Sequence, residues 1–201
     1  MAGNSYLNVA SYLENSAIYG PGNRFVIWFQ GCSLRCKGCW NAELWPFEEK
    51  HLFSPHDIFA MVQETEGIEG VSFLGGEPLD QAEPLLVLAG MLKQNGYSIM
   101  LYTGYRMDEI FGTVKEDVFY LSDIAVCGRY IESERSVYLK WRGSMNQRIF
   151  FNSDLYREYE SFVEMRENEV EIHIDEAGEV TIAGYPEPDD VEMILYGKNS
   201  E

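Results

Sequence analysis

Six consecutive positions, Arg24-Phe25-Val26-Ile27-Trp28-Phe29, carry five large apolar or aromatic side chains, and a run this short reads as a buried strand. Residues 4–20 before it are polar and aromatic with no clear period, and predict no element. Ser54-Pro55-His56-Asp57 has a capping serine, a proline at the first helical position and an acid three residues after the cap, so a helix starts there and ends near Gly67. Val71-Ser72-Phe73-Leu74 is a second strand. Residues 84–95 have a helical apolar pattern closed by Gly96, and Tyr97-Ser98-Ile99-Met100-Leu101-Tyr102 is a third strand. A short helix from Asp108 leads to a fourth strand over 123–127. Strand, helix and strand have then repeated, which predicts an α/β fold with a parallel sheet and right-handed crossovers. Further on, Val170, Ile172 and Ile174 alternate with Glu171, His173 and Asp175, and Gly178 turns the chain into Val180-Thr181-Ile182, the pattern of a half-buried β-hairpin. Pro186 and Pro188 follow, then an acidic terminal helix. No internal repeat or low-complexity linker interrupts the chain.

At 201 residues the chain is one compact unit, long enough to bury about 70% of its unfolded surface and keep a dry site. Two parts are expected, a core over 1–150 and an acidic C-terminal extension over 151–201 packed on it. The first 20 residues lack a basic start followed by an apolar run, and no apolar stretch approaches the length of a membrane span, which predicts a cytoplasmic protein with no membrane partner. Four cysteines, three of them clustered, do not form a secreted disulfide framework, and free thiols fit a reducing compartment. The net charge is -18 from 33 acidic and 15 basic residues, and 151–201 alone holds 15 acidic and 3 basic residues. Nucleic-acid binding relies on Lys and Arg to release counterions, so this balance excludes it; the acidic surface is either simply solvated or a docking face for a basic patch.

Candidate chemistry concentrates in Cys32-Ser33-Leu34-Arg35-Cys36-Lys37-Gly38-Cys39-Trp40-Asn41, which has the spacing Cys-x3-Cys-x2-Cys. Cysteine thiolates favour soft centres such as iron–sulfur clusters, zinc and copper(I). A structural zinc site needs four ligands, and the remaining cysteine, Cys127, is far away in sequence. Three ligands leave one iron of a [4Fe-4S] cube open, and an open position can bind a substrate directly. Gly31 and Gly38 let the loop turn sharply. The three histidines, His51, His56 and His173, are scattered, which speaks against histidine catalysis or metal binding.

The cysteine spacing, followed by a strand ending in Gly75-Gly76-Glu77-Pro78, resembles the radical S-adenosylmethionine superfamily. More narrowly, Gly20-Pro21-Gly22-Asn23-Arg24, Phe29-Gln30-Gly31-Cys32, Cys39-Trp40-Asn41, Tyr102-Thr103-Gly104-Tyr105 and Trp141-Arg142-Gly143-Ser144-Met145-Asn146-Gln147 resemble, in the same order, the activating enzymes of anaerobic ribonucleotide reductase. The resemblance covers roughly 17–150 and implies an incomplete (βα) barrel of the radical S-adenosylmethionine type, to which the hairpin and helix are a small C-terminal extension. It further implies that Cys32, Cys36 and Cys39 ligate a [4Fe-4S] cluster and that S-adenosylmethionine is the second cofactor. Gly38, Trp40, Asn41, Gly75, Gly76, Glu77 and Thr103 would then lie against that cofactor, with Glu77 balancing its ammonium group and Trp40 flanking its adenine. Asn146 and Gln147 either contact the cofactor or hold a turn. Cys127-Gly128 stands where such activases usually read Asp-Gly; Cys127 is either a small core residue or has a role near the bound nucleoside.

The resemblance implies reductive cleavage of S-adenosylmethionine to a 5′-deoxyadenosyl radical, which abstracts hydrogen from a glycine of a large glycyl-radical enzyme partner. A small electron donor such as flavodoxin or ferredoxin would supply the electron. Two alternatives stay open at this point. The same chemistry can modify a small molecule or peptide, and a cluster-binding electron carrier is the non-enzymatic reading, against which Gly75-Gly76-Glu77-Pro78 argues. A dry site suits a radical, and Trp28, Phe29, Trp40, Trp45 and Phe47 around the loop either supply that dryness or pack as core.

Overall fold

A computed structural model describes residues 5–163, 169–174, 177–178, 180–186, 191–193 and 197. Its centre is a run of four parallel strands, β2 (Arg24–Phe29), β4 (Gly70–Gly75), β5 (Ser98–Thr103) and β6 (Ile124–Cys127). Antiparallel strands flank them: β1 (Leu7–Ser16) and β3 (His51–Phe53) on one side, β7 (Arg148–Phe151) on the other, giving the order β3-β1-β2-β4-β5-β6-β7. The crossovers carry α1 (Pro55–Glu64), α2 (Ala82–Gln94), α3 (Met107–Ile110) and α4 (Val114–Leu121). A second, two-stranded sheet pairs β8 (Val170–Ile174) with β9 (Val180–Gly184).

The predicted α/β fold with its parallel strands is therefore present, and the flanking antiparallel strands are additions to it. β1 escapes a reading of period because register shifts between Val9 and Ser11 and between Leu13 and Ser16 break its alternation. β3 and β7 are short, with few or no fully buried residues, so they leave little trace in the apolar pattern. The first helix starts as the capping residues predict: Ser54 Oγ accepts from Asp57 N at 3.2 Å, and Asp57 Oδ2 accepts from Ser54 N at 2.9 Å. The acidic terminal helix expected after Pro188 falls mostly on 187–190, 194–196 and 198–201, outside the described residues.

Strand alternation sorts the sheet into two faces. Phe25, Ile27, Phe29, Val71, Phe73, Ile99 and Leu101 point to the helices and pack with Ile58, Val62, Leu85, Leu88 and Leu92. Each such fully buried side chain contributes about 2 kcal/mol relative to exposure. The other face runs from polar to apolar to aromatic along the strands. At the N-terminal ends sits Arg24, 0% exposed. It donates to Ser72 Oγ at 2.7 Å, Pro21 O at 3.0 Å, Ser98 Oγ at 3.1 Å, Val71 O at 2.8 Å and Ser98 O at 3.3 Å. These partners are all neutral oxygens, and burial lowers the pKa of the guanidinium from its ordinary value. Val26, Met100 and Ile124 follow, and Trp28, Leu74 and Tyr102 stand at the C-terminal ends.

The hairpin departs from its pattern in one respect. Its alternation suggests that Ile172 and Ile174 face inward, but Ile174 is 69% exposed and Val180 is also exposed. The inner face carries Glu171 and Ala183, which pair across the two strands. Glu171 accepts from Ser16 Oγ at 2.6 Å and Ala17 N at 2.7 Å, so these hydrogen bonds, together with burial of the small Ala183, decide which face is seated.

Replacing Arg24 by Met would remove a buried donor from the carbonyls of Pro21, Val71 and Ser98 and from the hydroxyls of Ser72 and Ser98. We expect a loss of about 3 kcal/mol or more in urea unfolding, and a loss below about 1 kcal/mol would show that the guanidinium is not the tie described.

Candidate active site

The C-terminal ends of β2 and β4 lie side by side, with Phe29 paired to Gly75. The cysteine loop leaves the first and Gly75-Gly76-Glu77-Pro78 leaves the second, and backbone bonds lock the two together: Gly76 N donates to Phe29 O at 2.7 Å and Glu77 N to Gly31 O at 2.8 Å. This approach requires glycine. Gly75 has φ +112°, and a Cβ on Gly76 would lie 2.2 Å from Gly31 O. The cysteine loop is tied further by Gly31 N to Leu44 O at 2.8 Å and Cys32 N to Trp45 O at 3.1 Å. Asp80 accepts from Ser33 N at 2.7 Å, Ser33 Oγ at 3.0 Å and Tyr105 OH at 2.6 Å, which fixes the residue next to Cys32.

Above these ends is a cavity of about 190 Å³. Cys32, Cys36 and Cys39 line it, together with Trp40 and Asn41 from the same loop. Gly75, Gly76 and Glu77 enter from β4, Thr103 from β5 and Gln147 from the segment before β7. Gly38 and Asn146 do not line it. Gly38 faces Glu132, which pairs with Lys37 at 3.1 Å. Asn146 donates to Arg129 O at 2.7 Å and accepts from Ser144 Oγ at 2.8 Å; Gln147 accepts from Gly143 N at 2.8 Å and donates to Gly128 O at 3.0 Å. Both carboxamides thus hold the 128–147 turn, with Gln147 at the cavity wall. Cys127 is 4% exposed in the helix-side core, and burial pushes its thiol up to about 12.

Glu77 is 1% exposed. Its Oε1 accepts from Leu79 N at 2.9 Å and Thr103 Oγ1 at 2.8 Å, and Oε2 accepts from Gly104 N at 2.8 Å. These donors favour the carboxylate, but burial outweighs them and raises the pKa to about 7. Arg129 braces the same loop by donating to Gly104 O and, bidentate, to Glu109 at 2.8 and 2.9 Å.

Four tyrosines that are not among the expected site residues also form the wall: Tyr19, Tyr102, Tyr130 and Tyr185. Of these, only Tyr102 stands within a motif block, and its partners become visible only in the fold. The hydroxyl of Tyr102 and the indole N–H of Trp45 are buried donors on this cavity without a protein acceptor. Among the described residues, no lysine, arginine or histidine lines it.

The donor set suits a cluster better than a single ion. Among the described residues, no three His, Cys, Asp or Glu side chains converge on one metal position. A zinc ion would need its ligands within about 2.3 Å of one point, whereas each thiolate on an iron–sulfur cube binds a different iron. Burial raises the pKa of both Cys32 and Cys36 above that of an ordinary thiol, while the backbone N–H groups of Arg35 and Leu34 oppose this at Cys32. A bound metal would be needed to hold them as thiolates.

The model of the 4Fe-4S single cluster domain family matches residues 18–150. The anaerobic ribonucleoside-triphosphate reductase-activating proteins of Haemophilus influenzae and Vibrio cholerae are each 30% identical to this chain over 151 residues, 71% of it and 97% of theirs. That of Enterobacteria phage T4 is 29% identical over 143 residues, 68% of this chain and 89% of its own. Among solved structures, QueE from Escherichia coli aligns at TM-score 0.44 and 16% identity over 60% of this chain and 70% of that one, a likeness too slight to bear on function.

The raised Glu77 pKa makes the cofactor-free fold pH-sensitive. The folded chain holds a proton to about pH 7 that the unfolded chain releases near 4.5, so stability falls as pH rises between those values. Denaturant unfolding from pH 5 to 8 should show a loss of up to about 3 kcal/mol in the wild type and a flatter profile in Glu77→Gln. Equal slopes would mean that Glu77 ionises like an exposed acid.

Proposed function

We propose, from the premise that this chain belongs to the 4Fe-4S single cluster domain family and, within it, to the radical S-adenosylmethionine activating proteins of anaerobic ribonucleoside-triphosphate reductase, that it generates a glycyl radical on such a reductase. The enzyme is a radical S-adenosylmethionine oxidoreductase with a [4Fe-4S] cluster and S-adenosylmethionine as cofactors. When bound, these supply reductive cleavage of a C–S bond and a 5′-deoxyadenosyl radical that takes hydrogen from a glycine of the partner. The observation that supports this best is that the three cysteines, the glycine pair and Glu77 line one cavity at the ends of adjacent parallel strands. We read the sheet as the incomplete barrel of the superfamily.

In this reading Cys32, Cys36 and Cys39 would hold the cluster and leave one iron to the cofactor. Gly75 and Gly76 present backbone without side chains, and Glu77 balances the cofactor's ammonium group. The buried Glu77 carboxylate among these lining residues suits a ligand carrying a positive charge. The free donors of Tyr102 and Trp45 suit its oxygen and nitrogen acceptors. Trp40, Asn41 and Thr103 complete the contacts, Thr103 by fixing Glu77. The aromatic wall keeps water from the radical. Among the described residues no helix is long and apolar enough to cross a membrane; we assign the chain to the cytoplasm, with flavodoxin or ferredoxin as electron donor. The segment 151–201, beyond the family match, favours a second reading in which the substrate is a small molecule or peptide.

Anaerobic 5′-deoxyadenosine production by reconstituted, reduced protein, with and without the host's anaerobic reductase, tests the proposal. Yield should rise with the reductase and a radical signal should appear on it; cleavage indifferent to the reductase would select the second reading. Cys36→Ala should abolish cleavage, and retained cleavage would overturn its ligand role. Glu77→Gln should weaken cofactor binding about tenfold or more with the cluster intact. Wild-type affinity should fall as pH drops below about 7, where Glu77 protonates, and this dependence should vanish in the variant. Binding that is flat with pH in both would remove Glu77 from the ammonium site.

A further inference from the structure

Residues 151–201 take no part in the chemistry above, yet two of them stand in the cavity wall. β9 ends at Gly184, and Gly184 and Tyr185 line the cavity with Cys39 and Trp40. The Tyr185 ring meets the Trp40 indole edge to face with centroids 5.6 Å apart, and the Arg135 guanidinium lies 4.2 Å over the same indole. Trp40 is thus held from two sides, one of them by the C-terminal segment.

The contacts that seat the hairpin are made to the same wall. Gly184 N donates to Tyr19 OH at 2.9 Å, and Ala183 is buried against Tyr19, Val26 and Leu74. Tyr19 and Leu74 are themselves cavity residues. Glu171 fixes the other strand to Ser16 and Ala17 on the stretch that leads to Tyr19. Gly184 has φ +107°, and a Cβ there would lie 2.6 Å from Glu169 O, so glycine is what lets the strand end turn and deliver Tyr185. The family model stops at residue 150, and the match to the Haemophilus and Vibrio proteins already takes in 97% of their length. The hairpin is additional to the part this chain shares with them.

We propose that the β8–β9 hairpin is a built-in wall of the active site, with Tyr185 positioning Trp40 and closing the cavity, so that this chain covers and holds its cofactor before any partner docks. The assignment of the cavity to the cofactor rests on the function proposed above; the wall itself does not. Substrate must therefore reach the site past a fixed aromatic side chain, and the surface left for a partner to cover is smaller than in relatives that lack the segment.

Alkylation of the cofactor-free full chain by iodoacetamide, read cysteine by cysteine by mass spectrometry, tests the wall. Tyr185→Ala, and separately Glu171→Ala, should speed modification of Cys32 and Cys39 about tenfold, while Tyr185→Phe, which keeps the ring, should behave as wild type. Cys127 in the helix-side core reports folding, so the decision is read from whichever variant leaves its rate unchanged. Unaltered rates at Cys32 and Cys39 in that variant overturn the wall. On cluster-reconstituted protein, S-adenosylmethionine affinity measured without a partner should fall about tenfold in Tyr185→Ala at equal iron content. Faster alkylation with unchanged affinity would overturn the role in holding the cofactor. A wild type that fails to bind S-adenosylmethionine would overturn the proposed function and leave the wall standing.

Discussion

The site depends on the in-register parallel pairing of β2 with β4. Because Phe29 and Gly75 are partners, the loops that leave these strands start at the same height and on the same side of the sheet. The bonds from Gly76 N to Phe29 O and from Glu77 N to Gly31 O then extend the ladder past the strand ends, into segments that would otherwise be free loops. A slip of one residue would turn Gly75 and the residues after it to the opposite face. The rest follows from this pairing: β5 brings Thr103 and Gly104 to the carboxylate, and Asp80 ties the cysteine loop back to the turn after Glu77.

Polarity along the inner face of the sheet is ordered rather than mixed. Arg24 closes one end with five donors spent on neutral oxygens, an apolar band of Val26, Met100 and Ile124 separates it from the other end, and the acid Glu77 stands there. Burial raises the pKa of that acid to about 7, so near neutral pH it is divided between acid and anion. A cationic ligand would remove the penalty and a neutral one would not, so the fold's own electrostatics select the charge of what binds.

How far this could be read from the chain alone differs from residue to residue. The cysteine loop, Gly75 to Pro78, the parallel strands and the cap at Ser54 are local features, and local chemistry is what a sequence displays. β1 was hidden because its bulges destroy the period, and β7 because it is short and half-exposed. Asn146 and Gln147 carried no sign of whether they faced a ligand or their own turn; the answer needs Arg129, Gly143 and Gly128 as partners. The hairpin's alternation displays two faces but not which one is seated, since that depends on Ser16 and Ala17, more than a hundred and fifty residues earlier. Tyr185 could not be found by motif at all, because only the seated hairpin makes it part of the wall.

The seating of the hairpin by its polar face has a consequence for the protein as a colloid. Ile172, Ile174 and Val180 form an apolar strip on the outside of a two-stranded sheet, a shape that invites stacking between molecules. The chain carries a net charge of -18, so two molecules that bring their strips together do so against mutual repulsion. That repulsion opposes stacking of the exposed strip. Concentrated salt, which shortens the reach of that repulsion to about 3 Å at 1 M, and pH near the isoelectric point of about 4.5 both remove the barrier while leaving the strip as sticky as before.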